Sequence, residues 1–149
     1  MSIEHFNRIL VPIDGSIQSH KALEVAIDFQ KLFCCELYIL SVYSTDESWS
    51  ASVSYVLTEV TSSTEEAMKE FAQEVAKKSK QVALKAGVES VRSYYQGGKP
   101  ASTIVKFAQK HEIDLIILGK KGLANTTKDL IGSISHKVLN RSKCPVMVI

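Results

Sequence analysis

The chain has 149 residues, the usual length of one domain, and we treat residues 1–149 as a single domain. Its formal net charge of +2 is too small to indicate nucleic acid or a membrane surface as a partner. No apolar run is long enough for a transmembrane helix, and no signal peptide is evident. Its three cysteines have neither zinc-site nor disulfide-framework spacing, so we expect a cytoplasmic protein with free thiols.

The N-terminal part of the sequence alternates strand and helix patterns. Residues 8–13 form a β-branched apolar run that stops at an Asp-Gly-Ser sequence, which predicts a buried strand followed by a turn. Ser16 or Ser19 can cap the helix that follows. Residues 36–42 predict a second strand. In the helix between these two strands, the positions expected on the inner face are Ala22, Leu23, Ala26, Phe29, Gln30, Leu32 and Phe33.

The middle of the sequence contains a loop and a long amphipathic helix. Residues 43–61 are rich in Ser and Thr and have no clean period, which predicts a loop or a loop with a short helix. Ser63 and Glu66 then fit a capping box, and Gly87 is placed as the C-cap. Residues 88–95 predict a third strand. In the long helix between Ser63 and Gly87, the apolar stripe consists of Met68, Phe71, Val75, Val82 and Ala86.

The C-terminal part repeats the alternation twice. Pro100 follows a pair of glycines and is placed for the first turn of a helix. Residues 113–118 predict a nearly all-apolar strand that stops at Gly119. A last helix is expected after Gly132, and residues 145–149 predict a closing strand. The apolar positions of that helix are Ile134, Val138 and Leu139.

The order of these elements predicts the fold class. Strands that alternate with helices, and that are apolar on both faces, are typical of an α/β domain with a parallel sheet covered by helices on both sides. Open parallel sheets bind ligands at the carboxyl ends of their strands, where the strand order reverses. Two strand ends carry residues suited to such a site, at residues 14–16 and at residues 119–122.

The second of these strand ends continues to residues 132–135, at the start of the last helix. Glycines allow close approach of a ligand and positive φ angles, and a helix N-terminus offers unpaired N–H groups to a phosphate. Lys120 and Lys121 can add positive charge. Each residue also has a purely structural interpretation: glycines in turns, Ser133 as an N-cap, solvated lysines, and an Asx turn at Asp14. The combination is what indicates a binding site.

The combination also resembles a known family. Gly119-x2-Gly122-x9-Gly132-Ser133 matches the G-x2-G-x9-G-[S/T] signature of the universal stress proteins that bind ATP. The resemblance covers the whole chain and includes residues 9–16, 40–42, 98–100, 114–119 and 144–148. In fold it implies one five-stranded parallel sheet of order 3-2-1-4-5 with helices on both faces, a Rossmann-like, α-hydrolase-like nucleotide-binding fold.

The resemblance also implies a site. The residues that it assigns to the nucleotide are Pro12, Asp14, Val42, Gly119, Gly122, Gly132, Ser133, Ile134 and Ser135. The first two would lie at the adenosine end, and Val42 would meet adenine through its backbone. The first two glycines would line the ribose and phosphates, and the last four residues would hold the phosphate tail, with Mg²⁺ bridging phosphate oxygens. Family members commonly form homodimers, and here the strand at residues 144–149 is expected to pair.

Three functions are compatible with the sequence. The first is an ATP-binding stress-response or regulatory protein, with no dedicated catalysis and at most slow ATP hydrolysis. The second is a nucleotide-hydrolysing enzyme on the same fold, although residues 14–19 lack the paired glycines of the S-G-G-x-D-S loop and no Walker A sequence occurs. The third is a dimer that binds partners without nucleotide, which the intact glycine signature argues against. ATP, AMP and cyclic AMP all remain candidate ligands.

Overall fold

The computed structural model describes residues 6–44, 64–121 and 131–149. The strands are β1 (Arg8–Pro12), β2 (Glu36–Tyr43), β3 (Val91–Gly97), β4 (Leu115–Leu118) and β5 (Val146–Val148). The helices are α1 (Ile17–Phe33), α2 (Thr64–Lys85), α3 (Pro100–Lys110) and α4 (Ser133–Arg141). The predicted order of these strands and helices is confirmed. The predicted loop at 43–61, the capping serine Ser63 and the glycine Gly122 lie wholly or mainly outside the described residues.

The strands form one parallel sheet of order β3-β2-β1-β4-β5, as the family resemblance implied. The central strand β1 pairs with β2 on one side and with β4 on the other. Strands β2 and β3 lie on one side of β1, and β4 and β5 lie on the other, so the strand order reverses at β1. A crevice opens at this point, at the carboxyl ends of β1 and β4.

Two apolar clusters, one on each face of the sheet, form the core. Ile9 and Val11 of β1 pack into the cluster beneath α1 and α2, while Leu10 packs into the cluster beneath α3 and α4. Both faces of β1 are buried, which is why its sequence is continuously apolar instead of alternating. The expectation of helices on both faces is confirmed.

Two strands begin later than predicted, because helix ends take up their first residues. The amide of Val88 donates a hydrogen bond to the carbonyl of Ala83, and Gly87 has a φ of +94°, so this stretch closes the C-terminus of α2. The amide of Ile113 donates to the carbonyl of Ala108 and closes α3 in the same way. Sequence periodicity cannot separate such a closing turn from the first residues of a strand.

Some predicted inner-face residues are not buried. In the last turn of α1, Leu32 is 76% exposed and Phe33 is also exposed. Leu139 of α4 is exposed as well. In α2 the most buried residues, apart from Met68, have small side chains. Small side chains let the helix approach the sheet closely. These small buried residues of α2 are Ala67, Ala72, Ala76, Ser79 and Ala83.

The last strand is shorter than the predicted 145–149 and lies at the edge of the sheet, next to β4. Val146 and Val148 pack against the cluster beneath α3 and α4, while Met147 and Ile149 pack against the opposite cluster. Within the described ranges, the structure has no helix with the length and apolar character needed to span a bilayer.

Candidate functional site

A cleft lies at the carboxyl ends of the central strands. It holds about 550 Å³ of space, a figure that includes its open mouth. Its lining residues are Pro12, Ile13, Asp14, Ser19, Leu40, Val42, Pro100, Ile104, Leu118, Gly119, Lys121, Ile134 and Ser135. The walls nearest the strands are apolar, and polar groups gather where β1 meets α1 and where β4 faces α4.

The junction of β1 and α1 is held by a short chain of hydrogen bonds. The Asp14 carboxylate accepts a hydrogen bond of 2.9 Å from the Ser16 amide, so the Asx turn anticipated from the sequence is present. Gly15 has a φ of +87°, which suits glycine in this turn. Ser16 then caps α1, its hydroxyl oxygen accepting a 3.1 Å bond from the Ser19 amide. These bonds fix Asp14 at the edge of the cleft.

The glycine that follows β4 has a structural reason to be glycine. A Cβ atom on Gly119 would lie 2.7 Å from the backbone carbon of Gln18 and 2.9 Å from the amide nitrogen of Ser19. The end of β4 thus touches the first turn of α1, backbone against backbone. This contact narrows the crevice from the side and brings Gly119 into the cleft lining.

The N-terminus of α4 faces the same crevice. Gly132 is its N-cap, and no side chain caps the first turn. The amides of the first helical residues, Ser133, Ile134 and Ser135, have no acceptor within the helix. The Gly132 amide itself donates a 2.7 Å bond to the carbonyl of Lys120 and so ties the helix start to the end of β4. The positive end of the helix dipole is thereby fixed beside the cleft.

Two sequence interpretations of this turn are wrong. Gly132 has a φ of −69° and a ψ of 160°, an extended conformation open to any residue, so a positive φ does not explain glycine there. Ser133 is the first helical residue and not the N-cap, because Gly132 takes the capping position. Glycine is among the residues favoured at the N-cap position that Gly132 takes.

Val42 presents its backbone to the cleft. The carbonyl of Leu40 accepts a bond from the Ile13 amide on the β1 side, whereas the carbonyl of Tyr43 accepts from the Gly98 amide on the β3 side. Because backbone groups alternate in direction along a strand, those of Val42 face the β1 side, like those of Leu40. The last β1 pair joins Pro12 to Leu40, so Val42 lies beyond the end of β1, where the cleft begins.

The two lysines after Gly119 differ in their surroundings. The Lys120 backbone joins two elements: its amide donates 2.8 Å to the Ile149 carbonyl, and its carbonyl accepts from Gly132. Lys121 lines the cleft and adds positive charge to it. Among the described residues of the cleft lining, Asp14 is the one carboxylate.

The structure brings most of the sequence-assigned residues together. Those that line the cleft are Pro12, Asp14, Val42, Gly119, Ile134 and Ser135. Gly132 is buried just before α4 and Ser133 is exposed at its start; neither lines the cleft, and Gly122 lies outside the described residues. The assignment missed Pro100 and Ile104 of α3, although the family resemblance included residues 98–100.

Comparison with known proteins establishes the family. The sequence model of the universal stress protein family matches residues 5–149. The chain is 32% identical over 147 residues to the universal stress protein YxiE of Bacillus subtilis, covering 97% of this chain and 99% of that protein. It is 35% identical over 148 residues to the universal stress protein MJ0531 of Methanocaldococcus jannaschii, covering 97% and 82%. The chain therefore belongs to the universal stress protein family.

Solved structures agree on the fold. The universal stress protein UspA from Lactobacillus plantarum superposes with a TM-score of 0.81 at 26% identity, covering 97% of this chain and 98% of that one. A universal stress protein solved in complex with cAMP has a TM-score of 0.71 at 21% identity, with 96% of each chain covered. One from Archaeoglobus fulgidus, in complex with dAMP, has a TM-score of 0.68 at 16% identity and 99% coverage of both chains.

Proposed function

We propose that this protein binds an adenine nucleotide, ATP in particular, in the cleft at the carboxyl ends of β1 and β4, and acts as a stress-response or regulatory protein. The observation that carries the proposal is the convergence of three features on one cleft: apolar walls, the outward-facing backbone of Val42, and the N-terminus of α4. The apolar walls suit the adenine ring, and the backbone of Val42 suits the hydrogen-bonding edge of that ring. The N-terminus of α4 suits the phosphate chain.

The adenine end of the proposed pose lies against strand β2. Adenine has a flat apolar face and a polar edge, and Leu40, Ile104 and Pro12 supply apolar surface beside the Val42 backbone. Relatives of the same fold solved with cAMP and dAMP also hold an adenine group, which supports this choice of base. The Asp14 carboxylate stands at the rim, in reach of polar groups of the adenosine.

The phosphate end lies at α4. The amides of Ser133, Ile134 and Ser135 donate to phosphate oxygens, and the dipole of α4 and the charge of Lys121 add attraction. Phosphate binding at a helix N-terminus needs space immediately before the helix, which the absence of a side chain at Gly132 supplies. Gly119 lies between the two ends of the pose, in the cleft lining.

Among the described residues, a divalent ion fits this arrangement as part of the nucleotide complex. The described residues contain no group of three or more His, Cys, Asp or Glu side chains able to hold a metal. Mg²⁺ is commonly bound through phosphates and water with one or two carboxylates, so the phosphates would carry most of its coordination here.

Free thiols at Cys34, Cys35 and Cys144 fit the proposed cytoplasmic location.

The direct test is calorimetric titration of the purified chain with ATP and Mg²⁺, beside a Gly132→Val variant. The wild type should bind, and the variant should lose binding because a branched side chain fills the space before α4, while its circular dichroism spectrum stays unchanged. Leu139→Val is the matched control, since it places the same branched residue on the exposed side of the same helix. Absence of heat with the wild type, or equal affinity in Gly132→Val, would overturn the proposal.

A further inference from the structure

A second cleft adjoins the first and is lined by basic side chains. It lies between the start of α3 and the outer face of α4, and it shares Pro100 and Ile134 with the first cleft. Its charged lining residues are Lys99, Lys137 and Arg141. It holds about 750 Å³ of space, a figure that includes its open mouth.

The cations of this basic cleft form no ion pair within the described part of the chain. Lys137 and Arg141 are four residues apart on α4, so they project from the same face of the helix. Like charges at this spacing destabilise a helix, and Lys99 adds a third from the opposite wall. The ion pairs among described residues involve Arg8, Lys78 and Arg92, and none involves the three cations of the basic cleft.

The start of α3 contributes neutral donors to the same cleft. Its N-cap residue, Lys99, makes no side-chain capping bond, and Pro100 has no amide hydrogen to satisfy. The amides of Ala101 and Ser102, the next two residues, have no acceptor within the helix, and both residues line the basic cleft. The positive end of a second helix dipole thus points at the place where the three cations gather.

We propose that the basic cleft binds a phosphate group distinct from the phosphate chain at the start of α4. The ligand class is then an adenine nucleotide with a further phosphate, such as an adenosine bisphosphate or a dinucleotide, with its second phosphate between Lys99, Lys137 and Arg141. Pro100 and Ile134 line both clefts, so the two clefts adjoin, and a ligand of this class would reach from one into the other. This inference rests on the proposed function, because the adenosine is held by the first cleft.

The test compares nucleotides that differ only in the additional phosphate. The wild type should bind adenosine 3′,5′-bisphosphate or adenosine 2′,5′-bisphosphate about tenfold more tightly than AMP, because charge-assisted hydrogen bonds to one more phosphate are gained. A Lys137→Gln, Arg141→Gln double variant should lose that advantage and keep its affinity for AMP. The control is Lys106→Gln, Lys110→Gln, which removes two exposed cations at the same spacing from α3, outside the basic cleft.

The outcomes separate this inference from the proposed function. If AMP binds and neither bisphosphate binds more tightly, the basic cleft is not a phosphate site and only the inference fails. If AMP does not bind, pyrophosphate alone is titrated: binding that the Lys137→Gln, Arg141→Gln variant abolishes supports the cleft, and no binding overturns it. A single-stranded RNA oligonucleotide that binds more tightly than both bisphosphates, and loses binding in the double variant, would assign the cleft to a macromolecule and overturn the inference.

Discussion

The Ser135 hydroxyl donates a hydrogen bond of 2.7 Å to the carbonyl oxygen of Gly119, across the mouth of the candidate nucleotide cleft. Ser135 is 4% exposed, so the hydroxyl is buried, while Gly119 is half-buried. A hydroxyl has one proton to donate, and here the proton points to the protein and not to a ligand. The structure thus gives Ser135 a positioning function: it fixes the end of β4 relative to the start of α4.

Replacing this serine should therefore weaken both the fold and the site. Ser135→Ala leaves the carbonyl of Gly119 without its partner and should lower the free energy of unfolding by about 1–3 kcal/mol. Urea denaturation measures the loss, and titration with ATP should show reduced affinity. Ser133→Ala, which changes an exposed side chain in the same helix turn, should alter the unfolding free energy by less than about 0.5 kcal/mol. Equal stability of Ser135→Ala and the wild type would show that the bond does not hold the junction.

The sequence was sufficient to predict the order of elements, the parallel sheet and six of the residues that line the cleft, because apolar periodicity and the glycine spacing both report on the backbone. It could not reveal that Gly119 is glycine because its backbone meets Gln18. That contact joins positions 101 residues apart, and no local pattern marks it. For the same reason the contribution of Ile104 to the cleft was missed: its spacing indicates only a helix.

ATP hydrolysis by this protein should be very slow or absent. Efficient phosphoryl transfer needs a base or a positioned water near the terminal phosphate and stabilisation of the transition-state charge. Asp14 is the one carboxylate among the described cleft residues, and the proposed pose places it at the adenosine end. Release of phosphate from ATP and Mg²⁺ should stay far below about 1 per second. Turnover at or above that rate, lost in Asp14→Asn, would instead identify an enzyme.

Stability should decrease in mildly acidic solution because of His111. Burial, and then the charges of Lys110, Arg8 and Arg92, lower the pKa of His111 below its ordinary value of 6.5. The ring packs on Phe107 with centroids 4.1 Å apart. Since the folded-state pKa lies below the unfolded one, the unfolded chain takes up this proton first. The contribution to stability is thus complete above about pH 6.5 and is lost as the pH falls towards the folded-state pKa.

Urea denaturation at a series of pH values measures this effect. The wild type should lose free energy of unfolding as the pH falls below about 6.5, and His111→Gln, which has no titrating ring, should lose less over the same interval. If the two proteins show parallel pH profiles, His111 is not the group responsible.

We also expect a homodimer that pairs the outer edge of β5. The carbonyl of Pro145 and the amide of Ile149 form hydrogen bonds with β4. Because backbone groups alternate in direction along a strand, those of Val146 and Val148 face away from the sheet. An unshielded apolar edge favours pairing with another strand, and two-fold dimers are the commonest oligomers. The valine side chains pack inward, so a charged substitution there would also disturb the core and is a poor test.

Val148→Pro is the sharper variant, because it removes the outward amide and keeps the bonds to β4. Light scattering should report a dimer for the wild type and for Val148→Ala, which keeps the amide, and a monomer for Val148→Pro. A monomeric wild type at micromolar concentration would exclude the dimer, and a dimeric Val148→Pro would place the interface elsewhere.

Amide chemical-shift mapping by NMR tests the central claim most directly, because it reports both whether ATP binds and where. Titration of the nitrogen-labelled chain with ATP and Mg²⁺ should shift the amides of Ser133, Ile134 and Ser135 at the start of α4, together with that of Val42 at the end of β2. AMP should reproduce the shift at Val42. Saturating ATP that leaves these four amides unmoved, or that moves only amides at the opposite end of the sheet, would contradict the account.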